Sequence, residues 1–220
     1  MCGRFTLEPI ARFYERFQIA NRLERIEPRY NIAPSQEVPI IIKQSPNKVV
    51  MMKWGLIPHW AKDSKIGYKT INARAETIAD KPMFRSSLKS KRCLVPASGF
   101  YEWQATQQGK IPHYIHLNKE ALFAFAGLYD IWKNEKEQEV YTFTIITTSP
   151  NTLIEKIHNR MPVILKESDE EKWLDAENFS IDKATLLLHS YESSKMDAYP
   201  VSRDVNSPDN DSPDLIARAK

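Results

Sequence analysis

The chain has 220 residues, 42% of them hydrophobic, and a formal net charge of only +3. That size predicts one large domain with a sizeable core, and two cysteines, Cys2 and Cys93, are too few for a disulfide framework or a structural zinc site. No apolar run approaches bilayer length, and Arg4, Arg12 and Arg16 interrupt any secretion-signal pattern, so the expectation is a soluble cytoplasmic protein.

Whole-chain charge says little about partners, but its distribution says more. The acidic residues Asp204, Asp209, Asp211 and Asp214 crowd the end of the chain. The stretch 81–92, KPMFRSSLKSKR, carries basic residues and no acid. Such a block is usually a solvated face, and it also suits phosphates.

In chain order, residues 8–19 read as a helix, with Pro9 in the first turn and Ile10, Phe13 and Phe17 on one face. VPIIIKQSPNKVVMMKW reads as a hairpin turning at Ser45-Pro46-Asn47. CLVPASGFYEW, HYIHL, LFAFAGLYDIW and VYTFTIITT are strand-like, rich in β-branched and aromatic residues, with NEKEQE as an exposed turn. SPNTLIEKIH predicts a helix capped by Ser149 with Pro150 at its first position. MPVIL reads as another strand, SDEEKWLDA and IDKATLLLHSY as amphipathic helices, and SPDNDSP as a loose polar tail. Many strands without a regular βαβ alternation predict an α+β domain built on mostly antiparallel sheet, residues 1–203, followed by a flexible acidic tail, 204–220.

Several polar residues are unusual company for a core-forming sequence. Cys2 lies directly behind Met1. In INARAET, an extended chain would point Asn72, Arg74 and Glu76 to one side. In GFYEW, Glu102 sits among aromatics, where desolvation raises a carboxyl pKa. IHNRMP places His158 and Arg160 at the end of the expected short helix, and WGLIPHW brackets a Gly and a Pro with Trp54 and Trp60. Each has a bland alternative. Asn72 can cap a turn, Glu102 can pair with an arginine, His158 can end a helix, and the tryptophans can be core. His59, His113, His116 and His189 show no partner pattern, and Cys93 reads as a buried small apolar residue. There is no GxSxG elbow, P-loop, HExxH or GxGxxG.

Together, MCGRF, YNIAPSQ, WGLIPHWAKD, INARAET, RCLVPASGFYEW, TTSPN, IHNRMPVIL and PVSR form an ordered set along nearly the whole chain. In this set the chain resembles the SOS-response-associated peptidase (SRAP) family of abasic-site processing proteins. The resemblance implies a single compact domain with curved, barrel-like sheets and a few peripheral helices. It implies binding of single-stranded DNA containing an abasic site and a covalent link through Cys2. It assigns catalytic work to Cys2, Asn72, Glu102 and His158, and DNA contact to Arg4, Pro34, Trp60, Arg74 and Arg160. No cofactor or metal is expected, and a monomer is, since no coiled-coil pattern is present.

The chemistry explains the position of the cysteine. An abasic site opens to an aldehyde, which a neutral amine attacks to give a Schiff base. Once Met1 is removed, Cys2 carries an α-amino group of pKa about 7.7–8.0 beside its thiol. The thiol then adds to the Schiff-base carbon and closes a thiazolidine. His158 suits protonation of the sugar ring oxygen, Glu102 suits the dehydration step, and Asn72 holds reacting groups without titrating. Weak lyase activity is expected through the Schiff base. The competing readings are a cysteine peptidase, in its narrow form using Cys2 to cut its own Met1–Cys2 bond, and a reversible, non-catalytic reader of DNA ends or junctions.

Overall fold

The computed structural model describes residues 2–8, 11–44 and 46–219. Met1, Pro9, Ile10 and Ser45, on which parts of the expectations above fall, lie outside the described residues. In chain order the elements are β1 (Arg4–Leu7), α1 (Phe13–Arg16), β2 (Arg29–Ile32), β3 (Glu37–Ile42), β4 (Lys48–Trp54), β5 (Asn72–Arg74), α2 (Pro82–Ser90), β6 (Arg92–Ala97), β7 (Gly99–Thr106), β8 (Gly109–Leu117), β9 (Phe123–Lys133), β10 (Glu139–Thr148), β11 (Met161–Pro162), α3 (Glu167–Leu174), α4 (Ile181–Thr185) and β12 (Met196–Pro200). Short 3-10 turns fill several of the connections.

The strands form two sheets. One is an open sheet in the order β12-β8-β7-β1-β2. The other runs β11-β10-β4-β3-β6-β9, and β9 also pairs with β10, so β10, β4, β3, β6 and β9 close into a barrel. Pairing is mostly antiparallel; β10 pairs in parallel with β4 and β5. The expected α+β class with curved, barrel-like sheets is therefore the observed one. Closure removes the free edges that a long β9 and β10 would otherwise expose.

The two sheets meet at Ser98, where the chain passes from β6 in the barrel to β7 in the open sheet. The Ser98 hydroxyl lies 2.8 Å from that of Thr6 and accepts from the Glu8 N–H at 3.1 Å, which fastens β1 to the crossing. Gly99 is required there, because a Cβ would come within 2.3 Å of the Tyr114 ring. Between the sheets Phe5 packs edge-on against Trp54 (5.2 Å) and Phe125 (6.0 Å), and Phe100 packs against Phe125 (5.9 Å). These are offset, edge-to-face contacts of the kind aromatic quadrupoles favour.

Several expected elements differ from those observed. The helix over residues 8–19 shrinks to α1, because Gln18 adopts φ 51° and ends it. Phe13 and Phe17 are nonetheless buried, so the periodicity marked the buried face but not the helix length. The helix expected from Ser149 is a single 3-10 turn, Ile154–Lys156. Asn151, not Ser149, supplies the cap: its Oδ1 accepts from the Leu153 and Ile154 N–H groups at 3.1 and 3.0 Å. IDKATLLLHSY contributes only the five-residue α4. The basic stretch forms α2, an amphipathic helix with Phe84 and Leu88 buried and Arg85 and Lys89 exposed.

The segment beginning at residue 204, read from composition as a loose tail, is packed. Val205 and Leu215 join Tyr101, Tyr114 and Val201 in a second apolar cluster. Asn31 is fully buried, and its amide nitrogen reaches the carbonyls of Val205, Ser207 and Asn210 at 3.2, 2.8 and 2.8 Å. Asp211 accepts from the Tyr30 and Asn31 backbone N–H groups and pairs with Arg29. Asp211 is therefore ordered by binding backbone donors of β2, something that composition does not reveal. Replacing Asn31 with Ala leaves those buried carbonyls short of a donor and is expected to cost about 1–3 kcal/mol. Urea unfolding of the variant against the parent checks this; an unchanged midpoint would show that these bonds to the 204–219 segment, a strap over β2, do not contribute to stability.

Candidate active site

β1 pairs antiparallel with β7 in the register Arg4↔Tyr101 and Phe5↔Phe100. Carried on toward the chain start, this register sets Gly3 opposite Glu102 and Cys2 opposite Trp103, close enough for the Glu102 charge to act on the Cys2 thiol. On β7 the side chains alternate: Phe100 enters the main core and Tyr101 the second cluster. Glu102 follows on the Phe100 side and is 2% exposed. It lines a cleft of about 380 Å³ together with Trp103, Lys110, His158 and Asn206. Burial pushes the Glu102 carboxyl up to about 7, as expected for a carboxylate held among aromatics.

Cys2 is fully buried. Burial, and after it the neighbouring Glu102 charge, holds its thiol well above the ordinary range. His158 stands with Nδ1 3.9 Å from Glu102 Oε1. Its Nδ1 lies 3.0 Å from the Arg160 backbone nitrogen and 3.2 Å from the Arg160 carbonyl, which fixes the ring's orientation. Burial lowers the His158 pKa from its ordinary value. The cleft thus sets a protonatable carboxyl and a neutral imidazole together, with the uncharged Cys2 thiol buried behind it within reach of the Glu102 charge.

Asn72 is on β5, paired with Ile145 of β10. Its amide nitrogen donates to Ile71 O (3.0 Å) and Ile145 O (3.5 Å). Its Oδ1 is buried and has no partner among the described residues. A buried acceptor left open is a place for an incoming donor.

The arginines divide. Arg160 grips Glu76 through both carboxylate oxygens (2.6 and 2.9 Å) and reaches Thr147 O (2.6 Å). The Glu76 carboxyl is held below its usual range by that bidentate bond. Glu76 does not share an extended face with Asn72 and Arg74, because the chain turns into a 3-10 turn at Ala75. Arg4 is occupied differently from the expectation. Its guanidinium binds Asn31 Oδ1 (2.9 Å), Val205 O (2.7 Å) and Asn206 O (3.1 Å), which ties the chain start to the strap. Arg74 is exposed and has no carboxylate in salt-bridge contact among the described residues.

Trp54 and Trp60 differ in the same way. Trp54 is core, 1% exposed, with its Nε1 on Ile71 O at 2.8 Å. Trp60 is 51% exposed. Pro34 lines a separate small pocket with Ser35, Trp54, Gly55 and Tyr68. The sequence reading missed Lys110, Asn206 and Tyr68. Lys110 lies opposite Ala105 in the β7–β8 hairpin, three residues from His113, the register partner of Glu102, so the hairpin pattern alone does not single it out. Nothing in the local sequence points to Asn206, which reaches the site only through the fold. Its Oδ1 accepts from Trp103 Nε1 at 2.8 Å.

Comparison with known proteins now bears on this cleft. The profile of the SOS response associated peptidase family, SRAP, matches residues 1–208. The chain belongs to the SRAP family. It is 52% identical over 221 residues to the abasic site processing protein YoqW of Bacillus subtilis (strain 168), covering 98% of this chain and 99% of that one. It is 34% identical to the abasic site processing protein HMCES of Xenopus tropicalis, over 88% of this chain and 67% of that one. Its fold is similar to an X-ray structure of a Bacteroides thetaiotaomicron protein, with a TM-score of 0.81 and 38% identity over 87% of this chain and 85% of that one.

The raised Glu102 pKa has a consequence for stability. The folded state holds a proton that the unfolded chain releases near pH 4.5, so stability falls as pH rises from there to about 7. The loss is on the order of 1–3 kcal/mol. Urea titrations at pH 5 and pH 8 should show this drop in the parent and a smaller one in Glu102→Gln. Equal drops in both would assign the proton to another group.

Proposed function

We propose that this SRAP protein captures abasic sites in single-stranded DNA as a covalent thiazolidine on Cys2, shielding the lesion. The observation that carries this reading is a cleft pairing a carboxyl of pKa about 7 with a neutral imidazole, with the buried Cys2 thiol within reach of that carboxyl's charge. The names of the relatives, abasic site processing proteins, support it.

The reaction needs Cys2 as the chain's first residue, so that its nitrogen is an amine and not an amide. The amine adds to the sugar aldehyde to give a carbinolamine. Protonated Glu102 gives a proton to the departing hydroxyl, water leaves, and a C=N bond remains. The Cys2 sulfur then bonds to that carbon, and the thiol proton passes to the nitrogen. His158 gives a proton to the ring oxygen of the closed sugar as it opens. The open acceptor of Asn72 receives a donor from the amine or a sugar hydroxyl. Arg74 meets a phosphate, Arg160 is braced by Glu76 to do the same, and Trp60 and Pro34 take the bases. Arg4 acts mainly by holding the strap against the chain start. The Schiff base also permits β-elimination of the 3′ phosphate, which gives weak lyase activity.

The buried thiol bears on the peptidase reading. A cysteine peptidase attacks with a thiolate, and reactive cysteines have depressed pKa values. Here burial raises the thiol pKa. An amine-first mechanism needs no thiolate, because the thiol enters only after the imine has formed.

Untagged protein lacking Met1, mixed with a single-stranded oligonucleotide carrying one abasic site, should give a slow band on a denaturing gel. Cys2→Ala should lose that band while retaining reversible DNA binding. Glu102→Gln should slow capture about 10²–10⁴-fold. In the parent, the rate of the dehydration step should fall as pH rises through about 7. A band that survives Cys2→Ala would refute ring closure. No band with Met1 confirmed absent by mass would leave a reversible reader, and cleavage of an unrelated peptide would favour a peptidase.

A further inference from the structure

Trp60 is half-exposed, yet its loop is fixed at every second residue. Gly55, at φ 123°, starts the loop and donates to Phe143 O at 2.8 Å. The Ile57 N–H donates to Thr142 Oγ1 at 2.8 Å. The His59 N–H donates to Asp130 Oδ2 at 2.8 Å, and His59 Nδ1 lies 3.0 Å from the same oxygen. Beyond Trp60, the Ala61 carbonyl accepts from Trp132 Nε1 at 2.7 Å. The anchors come from adjacent barrel strands, with Asp130 opposite Thr142 in the β9–β10 register.

Asp130 is the unusual member. Its side chain is fully buried. Burial alone would raise its carboxyl pKa, but hydrogen bonds from Lys91 and His59 outweigh that and hold it below its ordinary value. Its second oxygen binds the Lys91 ammonium and accepts from the Ile131 N–H at 2.9 Å. A charged group is costly to bury, and a plain core would not need one. Here the charge spends two hydrogen bonds on the residue next to Trp60.

We propose that Asp130 and Trp132 are positioning residues for Trp60: they clamp His59 and Ala61 on either side of it and hold the indole as a preorganised stacking platform. This rests on the reading that Trp60 stacks on a DNA base. An exposed indole on a mobile loop would lose side-chain and backbone freedom on binding; a clamped one has already lost part of it. Lys91 closes α2 at its C-cap, so the same carboxylate also ties the basic helix to the Trp60 loop.

The test combines two readouts on the full chain. The first is 5-fluorotryptophan NMR without DNA, with the Trp60 resonance assigned by its absence from Trp60→Phe. Asp130→Asn and Trp132→Phe are expected to shift and broaden the Trp60 line while leaving those of Trp54 and Trp173 in place. The second is the affinity for a single strand bearing a tetrahydrofuran abasic analogue, which cannot be captured. Trp60→Ala should weaken binding about 10-fold. Asp130→Asn and Trp132→Phe should each weaken it about 3-fold or more in the parent and by less than that in the Trp60→Ala background. Trp132→Phe keeps the ring packing and loses only the bond to Ala61, so it answers even if Asp130→Asn fails to fold. An unchanged Trp60 line in both variants, or equal losses with and without Trp60, overturns the proposal. If the line responds but Trp60→Ala binds as well as the parent, the clamp stands and the base-stacking reading of Trp60 falls.

Discussion

The pairing of β1 with β7 is the contact on which the rest of the site depends. Taken alone, Cys2 is a thiol near a chain end, and Glu102 is one carboxylate on a strand. The register Arg4↔Tyr101 lays the chain start alongside Glu102 and Trp103, where the Glu102 charge reaches the Cys2 thiol. The same pairing buries both, and burial sets their chemistry in opposite senses. It brings the carboxyl to about 7, where it both gives and takes protons near neutral pH, and it keeps the thiol protonated. A short strand of four residues accomplishes this only because both flanks are secured. Ser98 and Thr6 fasten one end, and Arg4 fastens the other to the strap.

Around the cleft the protein separates charges that are used to build from charges left open. Arg160 is locked to Glu76 and Thr147, Arg4 to the strap, and Lys91 to Asp130. Arg74 is exposed. On the proposed reading, Arg74 is left free to meet a backbone phosphate, while Arg160 is already ordered by Glu76 and loses less freedom on contact. The unpartnered Asn72 Oδ1 is the complementary feature, a small polar deficit kept where a substrate group is expected.

Much of the fold was readable because its strands are long and β-branched. The segments around VYTFTIITT and LFAFAGLYDIW became β10 and β9 of the barrel, and the 38–54 hairpin formed as its turn residues implied. Helices were less readable. Phe13 and Phe17 carried a helical period into the core, but one left-handed residue, Gln18, cut the helix short. At the site, the desolvation of Glu102 followed from its aromatic neighbours. His59 showed no partner in sequence because Asp130 lies far along the chain on another strand. Asn206 and the strap were illegible for the same reason. Composition marks 204–220 as acidic and polar, while Asn31 and the backbone donors of β2 that order it are residues apart by the whole length of the fold. Long-range hydrogen bonds leave no local trace.

The strap and the first strand also impose a timetable on synthesis. Arg4 and Val205 are 201 positions apart, so their bond forms only when nearly all of the chain has left the ribosome. Cys2 emerges about 100 residues before Glu102, and at roughly 5–20 residues per second it spends several seconds in solvent without its acid. On the proposed mechanism, that interval, before β1 is drawn against β7, is when Met1 is removed and the Cys2 amine is freed. The chain start is then exposed before the cleft around Glu102 and His158 exists, so topology alone orders processing ahead of capture.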